Sequence, residues 1–422
     1  MIKKNDMKIR SYPLICFYLF FFLSITQAQN NGEWPCYGKD PGGSRFSPID
    51  QINIHNVKQL QVAWTFQTGE LLGYEGTYAK SKAAFEATPV MIGHVLYFST
   101  PSDRVFALDA LTGKKIWLYD PKVDLHKDYS EITSRGVSVW TPSASDSKNK
   151  DMRVFIATID GRLIALSAKT GLPIDGFGDQ GTVDLKTGLG QDISVTSAPA
   201  IIGNLIVVGS SLGDNNRFDA TSGTVRAYDV ESGQLIWSWD PIPKNEGDPA
   251  WKTWLGPKAH QTGAANTWAT ISADEKNGLV FIPTSCPSPD YYGGERLGQN
   301  LYGNSLVALQ SKTGKMVWYF QVVHHDLWDY DIAAQPILTT INKDGKSISV
   351  VIIGTKMGFI FVLDRMTGKP VFPVEERPVA SSEIKGEQAW PTQPFPIFPS
   401  PLGLQKIDSS YSWGVDDSSR TE

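Results

Sequence analysis

An all-β fold built from repeated four-stranded sheets is predicted, and three observations carry it. The first is an internal repeat. VFALDALTGKKIW from Val105 returns as LIALSAKTGLPI from Leu163, VRAYDVESGQLIW from Val225, LVALQSKTGKMVW from Leu306 and IFVLDRMTGKPV from Ile360. The second is its period: the turn glycines Gly113, Gly171, Gly233, Gly314 and Gly368 stand 58, 62, 81 and 54 residues apart. The third is composition, since 38 Gly and 26 Pro beside 13 Trp, 15 Tyr and 19 Phe favour many short strands and tight turns over helices.

Each repeat reads as a strand, a tight turn of the Asp-x-x-Thr-Gly type (with Ser167, Gln310 or Ser232 as variants) and a second strand, with Gly supplying the positive φ that the turn requires. Upstream lies another β-rich run, such as HVLYFST before the first repeat and NLIVVGSS before the third. About four strands per unit at this period is the pattern of a β-propeller blade. The tryptophans that end three repeats, Trp117, Trp237 and Trp318, are expected to lie flat between neighbouring blades as packing. LQVAWTFQTG from Leu60 reads as an outlying strand of the same pattern.

Ahead of the repeats, residues 1–28 read as a signal peptide. Lys3, Lys4, Lys8 and Arg10 precede an almost wholly apolar run from Leu14 to Ile25, and Ala28 closes a cleavage site. A run of about a dozen apolar residues falls short of the roughly 20 that span a bilayer. The expectation is therefore an exported, periplasmic protein with no membrane span after cleavage. Residues 29–422 then form the propeller domain. The longest stretches outside the repeats are Lys244 to Thr267 and the Pro-rich run from Glu376 to Pro401. Five repeats do not close a ring of this kind, and the sequence ends on DDSSRTE without a closing strand, so the domain is expected to be incomplete.

A net charge of −5 gives no basic footprint for nucleic acid. Cys16 falls within the signal, which leaves Cys36 and Cys286, and an oxidising compartment permits a bond between them. There is no Cys-x-x-Cys-His, and so no covalent c-type haem.

Several segments resemble pyrroloquinoline quinone (PQQ)-dependent glucose, polyol and alcohol dehydrogenases: PCYGKDPGGSRFSPIDQIN from Pro35, the run from Phe85 to Pro121, PDYYGGERLG from Pro289, VVHHDLWDYDIAAQP from Val322 and GFIFVLDRMTGKPVFPVEERPV from Gly358. The resemblance runs from about Trp34 to Trp413. It implies an eight-bladed propeller, of which this chain supplies roughly the first two-thirds, with PQQ and a divalent ion, calcium or magnesium, on the axis.

PQQ is a flat tricyclic ortho-quinone with three carboxylates. Its pocket needs an aromatic floor, cations or hydroxyls, an oxygen-rich metal site and a base for the substrate hydroxyl. Arg135 matches the family arginine that holds a cofactor carboxylate, suited by its bidentate fork. Thr196 and Ser211 match hydroxyls on the cofactor carboxylates, and Trp268 matches the tryptophan stacked on the quinone. Asp214 matches the acidic metal ligand, with Asn215 beside it as a further contact. Asp329, in His-His-Asp-Leu-Trp-Asp, matches the carboxylate that lies by the metal and acts as general base. Lys356 matches the lysine that approaches the quinone oxygens. His324 and His325, adjacent and on a strand, would face opposite ways and serve as structural hydrogen-bonding groups.

Two positions depart from the family pattern. Ser102 and Asp103 stand where glucose-oxidising members commonly carry a histidine, which puts glucose itself in question. Cys286 stands where many members have a metal-binding asparagine, and Ser288 is then the candidate ligand. The resemblance implies oxidation of a sugar, polyol or alcohol hydroxyl by hydride transfer to the quinone, with electrons passed to a quinone or cytochrome c acceptor. The rival is a non-catalytic propeller scaffold for envelope protein assembly, which has no need of Arg135, Asp214, Trp268, Asp329 and Lys356 together.

Overall fold

The computed structural model describes residues 32–143, 151–190, 192–215, 217–406 and 408–421. The signal-peptide reading and Cys16 lie outside them. Four successive antiparallel sheets of four strands follow one another along the chain. The first holds Val90–Ile92, Val95–Ser99, Val105–Asp109 and Lys115–Tyr119. The second holds Ser138–Trp140, Arg153–Ala157, Arg162–Ser167 and Thr182–Asp184, and the third Ala200–Ile202, Leu205–Val208, Val225–Asp229 and Leu235–Trp239. Ser272–Asp274, Leu279–Pro283, Ser305–Gln310 and Met316–Gln321 make the fourth. A fifth, of three strands, spans Ile337–Lys343, Lys346–Gly354 and Ile360–Asp364. The five repeats are thus five blades, each repeat forming the third strand and the chain after it.

The repeat's apolar run is explained by burial on both faces. In Val105–Asp109 the first four residues are all buried, whereas in Lys115–Tyr119 only Trp117 is. The core accordingly sits between blades. Val105, Ala107 and Trp117 of blade one pack with Val154, Ile156 and Ile164 of blade two, and the same layering recurs down the chain.

The seam between blades has one recurring joint. A β-carbon on Gly171 would lie 2.6 Å from the Trp117 indole, one on Gly314 2.7 Å from Trp237, and one on Gly368 2.5 Å from Trp318. Each tryptophan of one blade therefore lies against the turn glycine of the next. Each ring N–H also donates to a carbonyl of that turn, Trp117 to Ala168 at 3.0 Å and Trp237 to Ser311 at 2.6 Å. Trp64, in the outlying strand-like segment, does the same to Gly113 and Ala110. Blade two ends on LPI without a tryptophan, and Val183 and Phe177 take its place against Gly233.

The turn is held by its own side chains. Asp109 Oδ1 accepts from the Thr112 amide at 2.8 Å and its hydroxyl at 2.6 Å, and Asp364 repeats this with Thr367. Two expectations are revised, and one possibility left open is settled. The Pro-rich run from Glu376 contributes to a hairpin, Val374–Pro378 paired with Thr392–Pro396, because its prolines fall where an edge pair tolerates a missing N–H. His324 and His325 lie in a bent segment after a strand rather than on it, His325 at φ +46°. Cys36 and Cys286 are both free thiols.

Gly171→Ala is expected to lower stability by about 2–4 kcal/mol, because its β-carbon must displace an indole in a packed seam. Gly345 has the same positive φ, +73°, but nothing within 4 Å. Gly345→Ala should cost only about 1–2 kcal/mol, the strain of that backbone region alone. Thermal denaturation of both variants checks the difference.

Candidate active site

Antiparallel strands alternate in direction, so the Asp-x-x-Thr-Gly turns between third and fourth strands all lie at one end of the blades. The loops between second and third strands, and the connections from one blade to the next, lie at the other end. Every singled-out residue is on that second end: Arg135, Thr196, Trp268 and Asp329 on inter-blade connections, and Ser211, Asp214, Asn215, Ser288 and Lys356 between second and third strands.

Contacts link these residues across blades. The Arg135 amide donates to Thr196 O at 2.7 Å, and its guanidinium bonds the Thr196 hydroxyl. The same guanidinium stands 5.0 Å over the Trp268 ring and pairs with Glu86 at 3.0 Å. Trp268 Nε1 donates to Asp331 Oδ2 at 3.0 Å. Lys356 Nζ lies 3.2 Å from that same oxygen, 3.1 Å from Asp329 Oδ1 and 2.8 Å from Asp329 O. Asp329 itself sits at φ +57°, which aims the carboxylate out of the bent segment toward the lysine.

A second strand of the site is acidic. Ser288 is fully buried, and its hydroxyl bonds the main-chain carbonyls of Asp214, at 2.7 Å, and Arg217, which ties the candidate metal hydroxyl to the backbone of the loop that carries Asp214. Asp290, two residues on, is buried with Oδ1 unpartnered. Burial pushes Asp290 up to about 8, and the charges of Asp214, Asp329 and Asp331 add to it. Asp214 is raised to about 7 by burial and then by Asp331. Asp329 is raised to about 6 by burial and by Asp331, with Lys356 pulling the other way. Burial alone would pull the Lys356 ammonium down, and the two carboxylates overcome it and hold it above its ordinary value.

Two candidates are less well joined. Ser211 is buried and exchanges backbone hydrogen bonds with Ser194, two residues before Thr196, while Asn215 is exposed at the turn beside Asp214. Of the departures, Ser102 and Arg104 both bind Glu70, at 2.9 and 3.1 Å. Asp103 is fully buried, accepts from the Ile159 amide at 2.8 Å, and is pushed well above the usual carboxylate range by that burial. Cys286 is buried, its thiol pushed far up by desolvation, and its amide donates to Asp331 Oδ1 at 2.7 Å.

The arrangement offers an aromatic face backed by a guanidinium, and a lysine bridging two carboxylates beside two further acids. The family model for the glucose/ethanol/alcohol dehydrogenase β-propeller domain, the PQQ type, matches residues 34–422. The chain belongs to this quinoprotein family. It is 38% identical over 414 residues to quinate/shikimate dehydrogenase (quinone) of Acinetobacter baylyi, covering 93% of this chain and 50% of that protein. Similarity to the quinoprotein glucose dehydrogenase of Escherichia coli is 38% over 376 residues, 86% of this chain and 46% of the relative. Among solved structures, quinohemoprotein alcohol dehydrogenase from Comamonas testosteroni superposes with a TM-score of 0.68 at 29% identity, covering 87% of this chain and 52% of that one. The chain thus spans about half the length of the relatives it matches.

Within this quinoprotein, Asp331 and Asp290 are the site residues that sequence reasoning did not single out. Asp331 joins Trp268, Cys286 and Lys356, and its signal was the Asp-x-Asp spacing with Asp329. Asp290 directly follows Pro289 in a quoted motif. Both histidines prove to be hydrogen-bonded: His324 with Gln321, Gln299 and Glu376, and His325 with Asn300. Among the described residues, no three His, Cys, Asp or Glu side chains converge in ready-made metal geometry.

An acid whose folded pKa lies above its unfolded value stabilises the fold while protonated, and that stability is lost as pH rises between the two. For Asp290 the window runs from 3.8 to about 8. In chelator-treated protein, Asp290→Asn should therefore raise stability at pH 8 by roughly 1–4 kcal/mol and leave it unchanged at pH 3. Denaturant titrations at the two pH values measure this.

Proposed function

We propose that the protein oxidises a sugar, polyol or alcohol hydroxyl in a PQQ-dependent reaction, and that Asp329 is its general base. The observation that carries this is the Asp329–Lys356 pair at 3.1 Å, tied through Asp331 to the Trp268 ring. Bound PQQ would supply the two-electron acceptor for the hydride that leaves the substrate carbon.

The residues present fit such a group. Trp268 offers an aromatic face, Arg135 beside it a guanidinium for a carboxylate, and Thr196 and Ser211 hydroxyls at the same end of the blades. A divalent cation, calcium or magnesium, would be held by Asp214, Asp329 and Ser288 with Asn215 beside them, and would keep the base ionised. The unpartnered, buried Asp290 oxygen and the mutual repulsion of Asp214, Asp290, Asp329 and Asp331, of which Lys356 contacts only the last two, support a cation in this region. Asp329 then accepts the substrate's hydroxyl proton, its pKa near 6 leaving it mostly ionised at neutral pH. Lys356, held between Asp329 and Asp331, places a positive charge where negative charge develops on the acceptor.

The electron acceptor in this reading is a quinone or a cytochrome c, and the protein is exported to the periplasm after its signal peptide is removed. No helix among the described residues is long and apolar enough to cross a membrane. A scaffold role would leave the Arg135–Trp268–Asp331–Lys356 chain of contacts without a purpose.

Reconstitution with PQQ and calcium, followed by dye reduction with an aldose, polyol and alcohol panel, tests the proposal. Asp329→Asn should lower kcat by about 10²–10⁴-fold without loss of PQQ binding. A protein that binds PQQ and calcium yet reduces no dye with any substrate would refute the catalytic reading.

A further inference from the structure

The motif PDYYGGERLG from Pro289 carries part of the family resemblance, and nothing in the site uses its arginine. Arg296 is fully buried. Its Nη2 donates to Asp326 O at 2.7 Å and Pro289 O at 3.0 Å, and approaches Cys286 Sγ at 3.5 Å. Its Nη1 donates to Asn300 Oδ1 at 3.2 Å, an oxygen that also receives His325 Nδ1 at 2.7 Å. These acceptors are all neutral, and among the described residues Arg296 makes no salt bridge within 4 Å, although its charge also favours the ionised form of the buried Asp326 carboxyl. Burying a guanidinium against neutral acceptors is costly, and the fork geometry is what it offers in return.

The two carbonyls belong to the two loops that build the acidic half of the site. Pro289 stands between Ser288 and Asp290, and Asp326 begins the segment that ends on Asp329 and Asp331. Asp326 in turn shapes that segment from inside. Its buried carboxylate accepts from the Trp328 amide at 2.9 Å, the Tyr330 amide at 2.6 Å and Asn304 Nδ2 at 2.7 Å. Those two amides flank Asp329, whose left-handed backbone is otherwise unfavourable for a non-glycine residue.

We infer that Arg296 is a positioning residue: it clamps the Ser288–Asp290 loop to the Asp326–Asp331 loop and so fixes the base Asp329 relative to its acidic neighbours. The inference rests on the dehydrogenase reading for its kinetic consequence, but the clamp itself can be measured without it. A lysine would keep the charge but could reach only one carbonyl and would lose the bridge, so the fork is required beyond the charge.

The test uses Arg296→Ala and Arg296→Lys in the full chain, with PQQ and calcium added for the kinetic arm. Arg296→Ala should lower kcat about 100-fold, the scale of a misplaced reacting group, with KM changed far less. Added guanidinium should restore much of the loss and methylammonium none. Arg296→Lys should remain at least about tenfold down in kcat at a wild-type melting temperature. Independently of turnover, the Trp328 and Tyr330 amides should exchange hydrogen faster in Arg296→Ala and recover protection with guanidinium. If Arg296→Ala does not fold, the same amides and kcat are read in Arg296→Lys. Wild-type exchange at both amides in a folded variant overturns the inference, as does rescue by methylammonium or full activity with lysine. An inactive wild type whose amides still respond would instead count against the functional reading and leave the clamp standing.

Discussion

The structure depends on the contact between an indole and a glycine. A blade whose third strand is apolar on both faces cannot stand in water alone, and it is covered only by its neighbours. Trp117, Trp237 and Trp318 fix how closely the next blade approaches, since each ring lies where a β-carbon on the facing turn would have to be. The ring N–H satisfies a carbonyl of that turn, which adds direction to a contact that hydrophobic burial alone would leave free to slide. Blade two keeps the seam with Val183 and Phe177, so shape rather than the indole itself is what the joint requires.

With the seams fixed at one end, the other end of the blades is released from packing. That is where the chain departs from its repeat and where residues occur once. Contacts there join distant parts of the sequence: Arg135 to Thr196, Trp268 to Asp331, and Asp331 to Lys356. Asp331 is the hub, because it receives donors from the indole, the Cys286 amide and the lysine at once. The charge of Asp331, after burial, is what raises the neighbouring Asp329.

The blades were legible in the sequence because their physics is local. Strand, turn and strand are contiguous, and the turn's Asp and Thr hydrogen-bond within four residues. The segment from Leu60 reads as a strand for the same reason, but it forms none, and only the Trp64 contact with the first turn keeps the pattern. The site was legible only through resemblance, residue by residue, because its contacts span 25 to 74 residues and leave no period. Asp331 and Asp290 escaped since each reads as an ordinary turn acid until its partners from other blades are known. The hairpin from Val374 escaped because prolines argue against strands, and the argument fails at edge pairs.

The acidic half of the site has a consequence for the order of events in loading it. Asp214, Asp290 and Asp329 are all raised, first by burial and then by one another's charge. Lys356 is the cation in direct contact with the cluster, and it is already shared between Asp329 and Asp331. At neutral pH the cluster therefore holds protons that isolated carboxylates would have lost. A divalent cation of the kind proposed would displace those protons and relieve the mutual repulsion, which would make binding and deprotonation one linked equilibrium. On the proposed reading, a cation held there would complete the ionisation of Asp329, which burial and Asp331 hold back, so occupancy and readiness of the site would rise together.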